Sequence, residues 1–246
     1  MNMQSMEQHN VVSREQWLAA RAQHLQHEKD FTHERDRLSA ERRALPWVKV
    51  DKAYRFEGAN GTETLSNLFG GNSQLVVYHF MFGAGWKEGC PGCSFLSDHI
   101  DGANLHLAHH DVSVVAVSHA PFHEFQAFKR RMGWDFKWVS SVGSDFNYDF
   151  QVSAKPEQIK AGNVTYNYEP SKDAGEEMPG LSVFYKNDAG EIFHTYSSYA
   201  RGLDLLVGTN NFLDLTPKGR NEEVIMDWVR HHDRYEDAPT KTSNRK

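Results

Sequence analysis

The sequence predicts an α/β fold: a mixed sheet flanked by helices, with a helical arm in front. Three observations carry this. The runs 74–82 and 112–117 are almost wholly apolar and rich in β-branched or aromatic residues, as strands covered on both faces are. Each is followed by a segment with helical spacing. The runs 181–185 and 191–196 flank Asn187-Asp-Ala-Gly190, a turn sequence, and so read as a hairpin. The order β, β, α, β, α, β, β, α alternates first and turns back at the end, so parallel and antiparallel pairs share one sheet.

Residues 1–10 read as a disordered, polar leader without the apolar core of a signal peptide. Ser13-Arg-Glu-Gln16 has the spacing of a capping box and opens a helix through about Lys29. Thr32 is read as a second N-cap, with Glu34 and Asp36 in the first turn and Arg42 and Arg43 in the last, where each sign suits the helix dipole. Pro46 ends this arm, residues 11–45. Its apolar stripe is thin, so the arm needs a surface to lie on, either the main domain or a second subunit; a homodimer is one expectation.

The domain spans 46–232. Residues 47–56 alternate apolar and polar, as a half-buried strand does, and Asn60-Gly61 marks a turn. Residues 64–69 form a helical turn closed by Gly70-Gly71. Residues 93–110 read as one helix ending at Asp111. Pro121 starts the next at its first position, and Trp138-Val139 is a short strand. The stretch 145–177 is polar, aromatic and too long for an ordinary connection, which suggests a functional insertion. Residues 203–208 and 222–230 read as helical, and 233–246 as a frayed tail.

A net charge of -6 argues against nucleic-acid or anionic-membrane partners. No apolar run approaches the ~20 residues that span a bilayer. The cytoplasm is the default location, and disulfides there are more often transient and catalytic than structural.

The chain has two cysteines, and they stand together in Gly89-Cys90-Pro-Gly-Cys93, between the apolar run 74–82 and the next helix. A C-x-x-C pair at a strand-to-helix junction is the sign of a thioredoxin-like redox site. A cysteine at a helix start meets free N–H groups and the positive dipole end, which lower a thiol pKa from ~8.5 toward ~3.5–7.5. Cys90 is then the nucleophile and Cys93 the resolving thiol. Pro91 suits the first helical position, and Gly92 leaves the sulfurs uncovered. No cofactor is needed. The partner expected is a protein or small molecule carrying a thiol or disulfide. Metal binding by Cys90, Cys93 and histidines such as His106 and His110 is the alternative, weakened by the lack of a second C-x-x-C. A divergent thiol peroxidase is a third reading. Peroxiredoxins, however, place a proline seven residues before the reactive cysteine and Thr or Ser three before it; Gly83 and Lys87 stand there.

Four further residues are candidates for lining the site. Trp86 precedes Cys90 by four and Pro91 follows it. His119 lies just past the strand 112–117. Pro179 falls near the place where thioredoxin-like sites set a cis-proline, before the strand facing the cysteines. His79, within an apolar strand, reads as a core histidine. Arg201 and Arg220 lie in glycine turns and read as surface charge.

Longer motifs carry a family resemblance: Tyr78-His-Phe-Met-Phe-Gly83, Cys90-Pro-Gly-Cys-Ser-Phe95, Ser144-Asp-Phe-Asn-Tyr-Asp-Phe150, Pro179-Gly-Leu-Ser-Val-Phe184 and Leu213-Asp-Leu-Thr-Pro-Lys-Gly-Arg220. From about residue 10 to 235 the chain resembles the thioredoxin-like family known as domain of unknown function 899. The resemblance implies a thioredoxin-like fold and a dithiol–disulfide oxidoreductase, with the substrate open. It also implies that Asp145, Asn147 and Asp149 border the active site or form a structural turn. His119 departs from the arginine often found at its position.

Overall fold

Strand β4 (Gln74–His79) runs through the middle of an eight-stranded sheet. Its Leu75, Val77 and Tyr78 are almost fully buried, as expected of a strand covered on both faces. In the computed structural model, which describes residues 9–236, β4 pairs in parallel with β5 (Val112–Ser118), and β5 in parallel with β6 (Lys137–Ser140). On its other side β4 pairs antiparallel with β9 (Gly180–Lys186), whose hairpin partner is β10 (Ile192–Tyr199). The sheet is therefore mixed as expected, and the fold is thioredoxin-like. Residues 1–8 of the leader and 237–246 of the tail lie outside the described residues.

The chain divides into two compact units, Met1–Pro46 and Trp47–Lys246. In the first, α1 (Arg14–Arg43) is one helix of 30 residues, with no buried residue. The capping box forms, with Ser13 N–H donating to Gln16 Oε1 and Gln16 N–H to Ser13 Oγ. The second N-cap is corrected: Thr32 sits inside the helix and its hydroxyl donates to Glu28 O. No glycine or proline interrupts the run, and ion pairs of Arg37 with Glu34 and Glu41 support it.

In the second unit the expected strand 47–56 divides. β1 (Val48–Lys49) pairs with β10 at one edge of the sheet, while β2 (Arg55–Gly58) pairs with β3 (Gly61–Thr64) and β6 at the opposite edge. The alternation is real on both sides of the break, but residues 50–54 carry the chain from one edge to the other. The short helix α2 (Leu65–Leu68) follows, capped by Thr64.

The helix expected over 93–110 is also two: α3 (Pro91–Ser97) and α4 (Ile100–Ala108). It breaks at Asp98-His99, where Asp98 accepts from Trp134 Nε1 and the His99 ring lies between Phe95 O of α3 and Thr209. Pro121 caps α5 (Phe122–Met132) from outside rather than opening it. The stretch 145–177 holds α6 (Phe146–Asp149), α7 (Pro156–Lys160) and a small hairpin of β7 (Val164–Tyr166) and β8 (Glu169–Ser171).

Ala200–Leu206 is a 3-10 segment and Gly208–Leu213 is α8. The helix expected at 222–230 is absent. There Asp227 accepts from the N–H groups of Glu223 and Val224, and Glu222 from that of Met226, closing tight turns instead. The tail is not frayed at its start, since Asp233 pairs with Arg131 at 2.9 Å.

Two apolar clusters fill the faces of the sheet. One gathers Phe80, Phe82, Phe125, Phe128 and Trp138 with Cys93. The other gathers Phe56, Phe69, Val77, Val117 and Phe146. The cysteine pair thus stands on the first face, at the end of the central strand.

Candidate active site

Cys90 is the N-cap of α3, with φ -55 and ψ 130, and Pro91 fills the first turn, where a missing N–H costs nothing. The Cys93 N–H donates to Cys90 Sγ at 3.5 Å, and the Ser94 hydroxyl to Cys90 O at 2.9 Å. Gly89 is forced by space: a Cβ there would lie 2.5 Å from Phe80 and 2.8 Å from Phe128. Both cysteines are free thiols.

The two thiols differ in environment. Cys90 is partly exposed, and its pKa falls from 9.0 to about 6. The largest cause is the hydrogen bond from the Cys93 thiol, followed, against burial, by the backbone N–H groups of Cys93 and Gly92. Cys93 is buried, and that burial, reinforced by the charge on Cys90, pushes its pKa well up. The arrangement makes a thiolate of the outer sulfur and keeps the inner one protonated.

A cavity of about 300 Å3 opens against the pair, lined almost wholly by apolar surface. Tyr78, Leu96, Leu203 and Met226 form its walls, and Pro179 contributes one side. Strand β9 begins at Gly180, so Pro179 stands directly before the strand beside β4. Its peptide bond is trans, not the cis form that the sequence position suggested; trans is the ordinary state of an X–Pro bond. Tyr166 Oη donates to Pro179 O at 2.7 Å and holds this turn.

Trp86 and His119 do not line this cavity. Trp86 lies over Gly83, where a Cβ would come within 2.9 Å of its Nε1, and against Phe82. His119 meets a different group. Its Nδ1 is 3.3 Å from Glu177 Oε1, and Tyr148 Oη is 3.4 Å from its Nε2. Glu177 accepts from Ser153, which accepts from Asn147, which accepts from Ser141. Burial pushes the Glu177 carboxyl up, against the pull of His119. Asn147 thus belongs to a structural chain, and Asp149 accepts from Tyr54 and Lys52.

Among the described residues no three His, Cys, Asp or Glu side chains gather in a way that could hold a metal ion. His106 and His110, which the metal alternative names, are not among the residues that line the cavity beside the cysteines. Arg201 and Arg220 both pair with Asp204, and Arg220 also with Asp214.

Residues 6–235 match the family profile described as bacterial protein of unknown function (DUF899). The chain belongs to this family. Comparison with curated proteins finds no match. Among solved structures, this DUF899 chain is similar to the peroxidoxin BcpB of Mycobacterium tuberculosis, at 14% identity over 67% of this chain and 95% of that one, with a TM-score of 0.44. It is similar to peroxiredoxin Q of Xanthomonas campestris, at 13% identity over 66% and 96%, with a TM-score of 0.42. It is also similar to the yeast mitochondrial 1-Cys peroxiredoxin, at 13% identity over 68% and 78%, with a TM-score of 0.37. These likenesses carry nothing about chemistry; that has to come from the residues. No helix among the described residues is long and apolar enough to cross a membrane.

Three features of the site escaped the sequence reading. Tyr78 faces Cys93 from the central strand, and alternation along β4 could have placed it there. Met226 covers Gly92 from a remote segment, and His231 Nε2 stands 2.9 Å from Gly89 O. Nothing in the local sequence signals those two approaches.

Proposed function

We propose that the protein is a thiol–disulfide oxidoreductase that works through Cys90 and Cys93. The observation that carries this is the placement of Cys90 at the start of α3, where its Sγ accepts from the Cys93 N–H at 3.5 Å, with the buried Cys93 thiol one turn behind it. A thiolate with a pKa about 6 is ionised at neutral pH, and the thiolate is the attacking form. Attack on a disulfide joins Cys90 to one sulfur of the partner and releases the other as a thiolate. Cys93 then loses its proton, attacks Cys90 Sγ and releases the second partner sulfur, leaving a Cys90–Cys93 disulfide. Two electrons pass from protein to partner; run backward, the same steps oxidise a dithiol. The partner is a thiol or disulfide compound, and in a cytoplasmic location a Cys90–Cys93 disulfide would be transient and catalytic rather than structural.

The test is the reduction potential of the pair together with turnover of a disulfide in the presence of a dithiol reductant. Turnover should vanish in Cys90→Ser. A Cys90→Ser protein with unchanged turnover overturns the reading.

A further inference from the structure

The face of the C-x-x-C turn from which a partner would approach is roofed. A Cβ placed on Gly92 would lie 3.3 Å from Met226 Sδ and 3.8 Å from Cys90 Sγ, so Met226 occupies the space directly over the turn. Its backbone is left-handed, with φ 62, a conformation that a non-glycine residue rarely adopts. It is held there by the Glu222 carboxylate, which accepts from the Met226 N–H at 2.8 Å. The segment is also tied down beyond the roof. Val229 is buried in the core, and Trp228 stands edge-on to Phe95. His231 Nδ1 accepts from Arg131 at 2.8 Å, which leaves Nε2–H to donate to Gly89 O next to Cys90. Arg131 also binds Asp233.

The roof leaves a cavity that is about half open to solvent. Its ~300 Å3 is the low end of the ~300–1,000 Å3 range of small-molecule sites. Cys90 apart, its charged lining residues are Arg201 and Asp204, which pair with each other at 2.7 Å, and Asp204 pairs with Arg220 as well. An anionic group entering would lose its water and meet the like charge of the Cys90 thiolate. An apolar body would gain from burial.

We propose that the substrate is a small, uncharged disulfide with an aliphatic body, which binds in this cavity beneath Met226 rather than docking as a protein surface. The inference rests on the oxidoreductase reading. The Cys90 thiolate attacks one sulfur, forming the mixed disulfide and expelling the second sulfur as a thiolate that takes a proton from solvent. Cys93 attacks Cys90 Sγ and closes the Cys90–Cys93 disulfide, and its proton passes to the first sulfur, which leaves as a thiol. The aliphatic disulfide is reduced by two electrons to thiols and the protein pair is oxidised; each molecule of reduced protein carries out one such event.

The experiment is a single turnover of fully reduced protein, read by mass as loss of alkylatable thiols. The probes are lipoamide, an uncharged aliphatic cyclic disulfide; lipoate, which adds one carboxylate; hydroxyethyl disulfide; glutathione disulfide; and insulin. Each rate is divided by that probe's rate with free dithiothreitol. Lipoamide should lead lipoate and glutathione disulfide by about tenfold or more, since 1.4 kcal/mol of charge desolvation is tenfold. Ile225 lines the cavity but is 54% exposed, so Ile225→Glu tolerates the charge in folding while placing it at the entrance. It should lower the lipoamide rate about tenfold, and Met226→Ala should raise the insulin rate relative to lipoamide. Oxidation by insulin or glutathione disulfide as fast as by lipoamide overturns the inference and leaves the oxidoreductase reading intact. Failure of every probe, hydroxyethyl disulfide included, overturns both.

Discussion

Cys93→Ala should move the pKa of Cys90, and the structure sets the size of the move. A fall from 9.0 to about 6 corresponds to about 4 kcal/mol in favour of the thiolate, at 1.36 kcal/mol per tenfold. The first cause is the Cys93 S–H, and the backbone N–H groups of Cys93 and Gly92 supply less. Alanine keeps those N–H groups and the helix start but has no donor in its side chain. A hydrogen bond to a charged group contributes ~1.5–3 kcal/mol, so the pKa should rise by about one to two. Cys93→Ser, which retains a donor of similar reach, should rise less. The assay is the rate of Cys90 alkylation by iodoacetamide across pH 4–10, whose midpoint reports the thiolate fraction. An unchanged midpoint in Cys93→Ala refutes the assignment of the shift to the Cys93 thiol. A wild-type midpoint near ~8.5, that of a free cysteine, refutes the stabilised thiolate altogether.

Two other perturbations follow from the packing. Gly89→Ala should destabilise the fold by ~1–3 kcal/mol in a denaturant titration, because the new methyl meets Phe80 and Phe128 ring atoms at 2.5–2.8 Å; stability within 0.5 kcal/mol of wild type would show that the loop yields. His79 is buried, and burial first and His194 second lower its pKa to about 3. The unfolded chain binds this proton below about 6.5 and the folded chain only near 3, so the contribution of neutral His79 is full above pH 6.5 and is lost as pH falls toward 3. His79→Gln should flatten the acid limb of the stability profile between those values, and a limb as steep as before would assign it to other groups.

The apolar runs 74–82 and 112–117 and the hairpin around 187–190 were legible because burial on both faces leaves a plain pattern, and these strands hold the site. The C-x-x-C turn was legible for a different reason: its chemistry is local, set within four residues by the helix start. What failed was non-local. Residues 47–56 alternate as one strand does, yet β1 and β2 pair with opposite edges, and nothing within the segment says where its partners lie. Residues 222–230 have helical spacing, but Glu222 and Asp227 cap turns with their own carboxylates, a local competition that periodicity does not see. His119 sits at the end of β5, in line with the cysteines by sequence. Its partner Glu177 comes from just ahead of β9 and draws it into a separate network.

The resolving step has its own difficulty, because Cys93 must ionise where burial opposes charge. Two groups offset this. Met81 offers a backbone hydrogen bond and the Tyr78 side chain another, and both lower the Cys93 pKa against the dominant burial. Tyr78 is itself buried, and burial first, then Cys93, raises its own pKa well above the ordinary phenol, so it stays protonated and able to donate throughout. As Cys93 turns toward the mixed disulfide, its developing thiolate gains from that donor. Tyr78→Phe preserves the ring in the core and removes only the hydroxyl. Losing a donor to a charged sulfur at ~1.5–3 kcal/mol should slow resolution about ten- to a hundredfold. The first attack, made by Cys90 with donors from its own turn, should slow far less. The two rates therefore separate, and the Cys90 mixed disulfide should accumulate, visible by mass after rapid acid quench. Resolution in Tyr78→Phe at the wild-type rate would show that the buried thiol loses its proton by a route that does not involve the tyrosine.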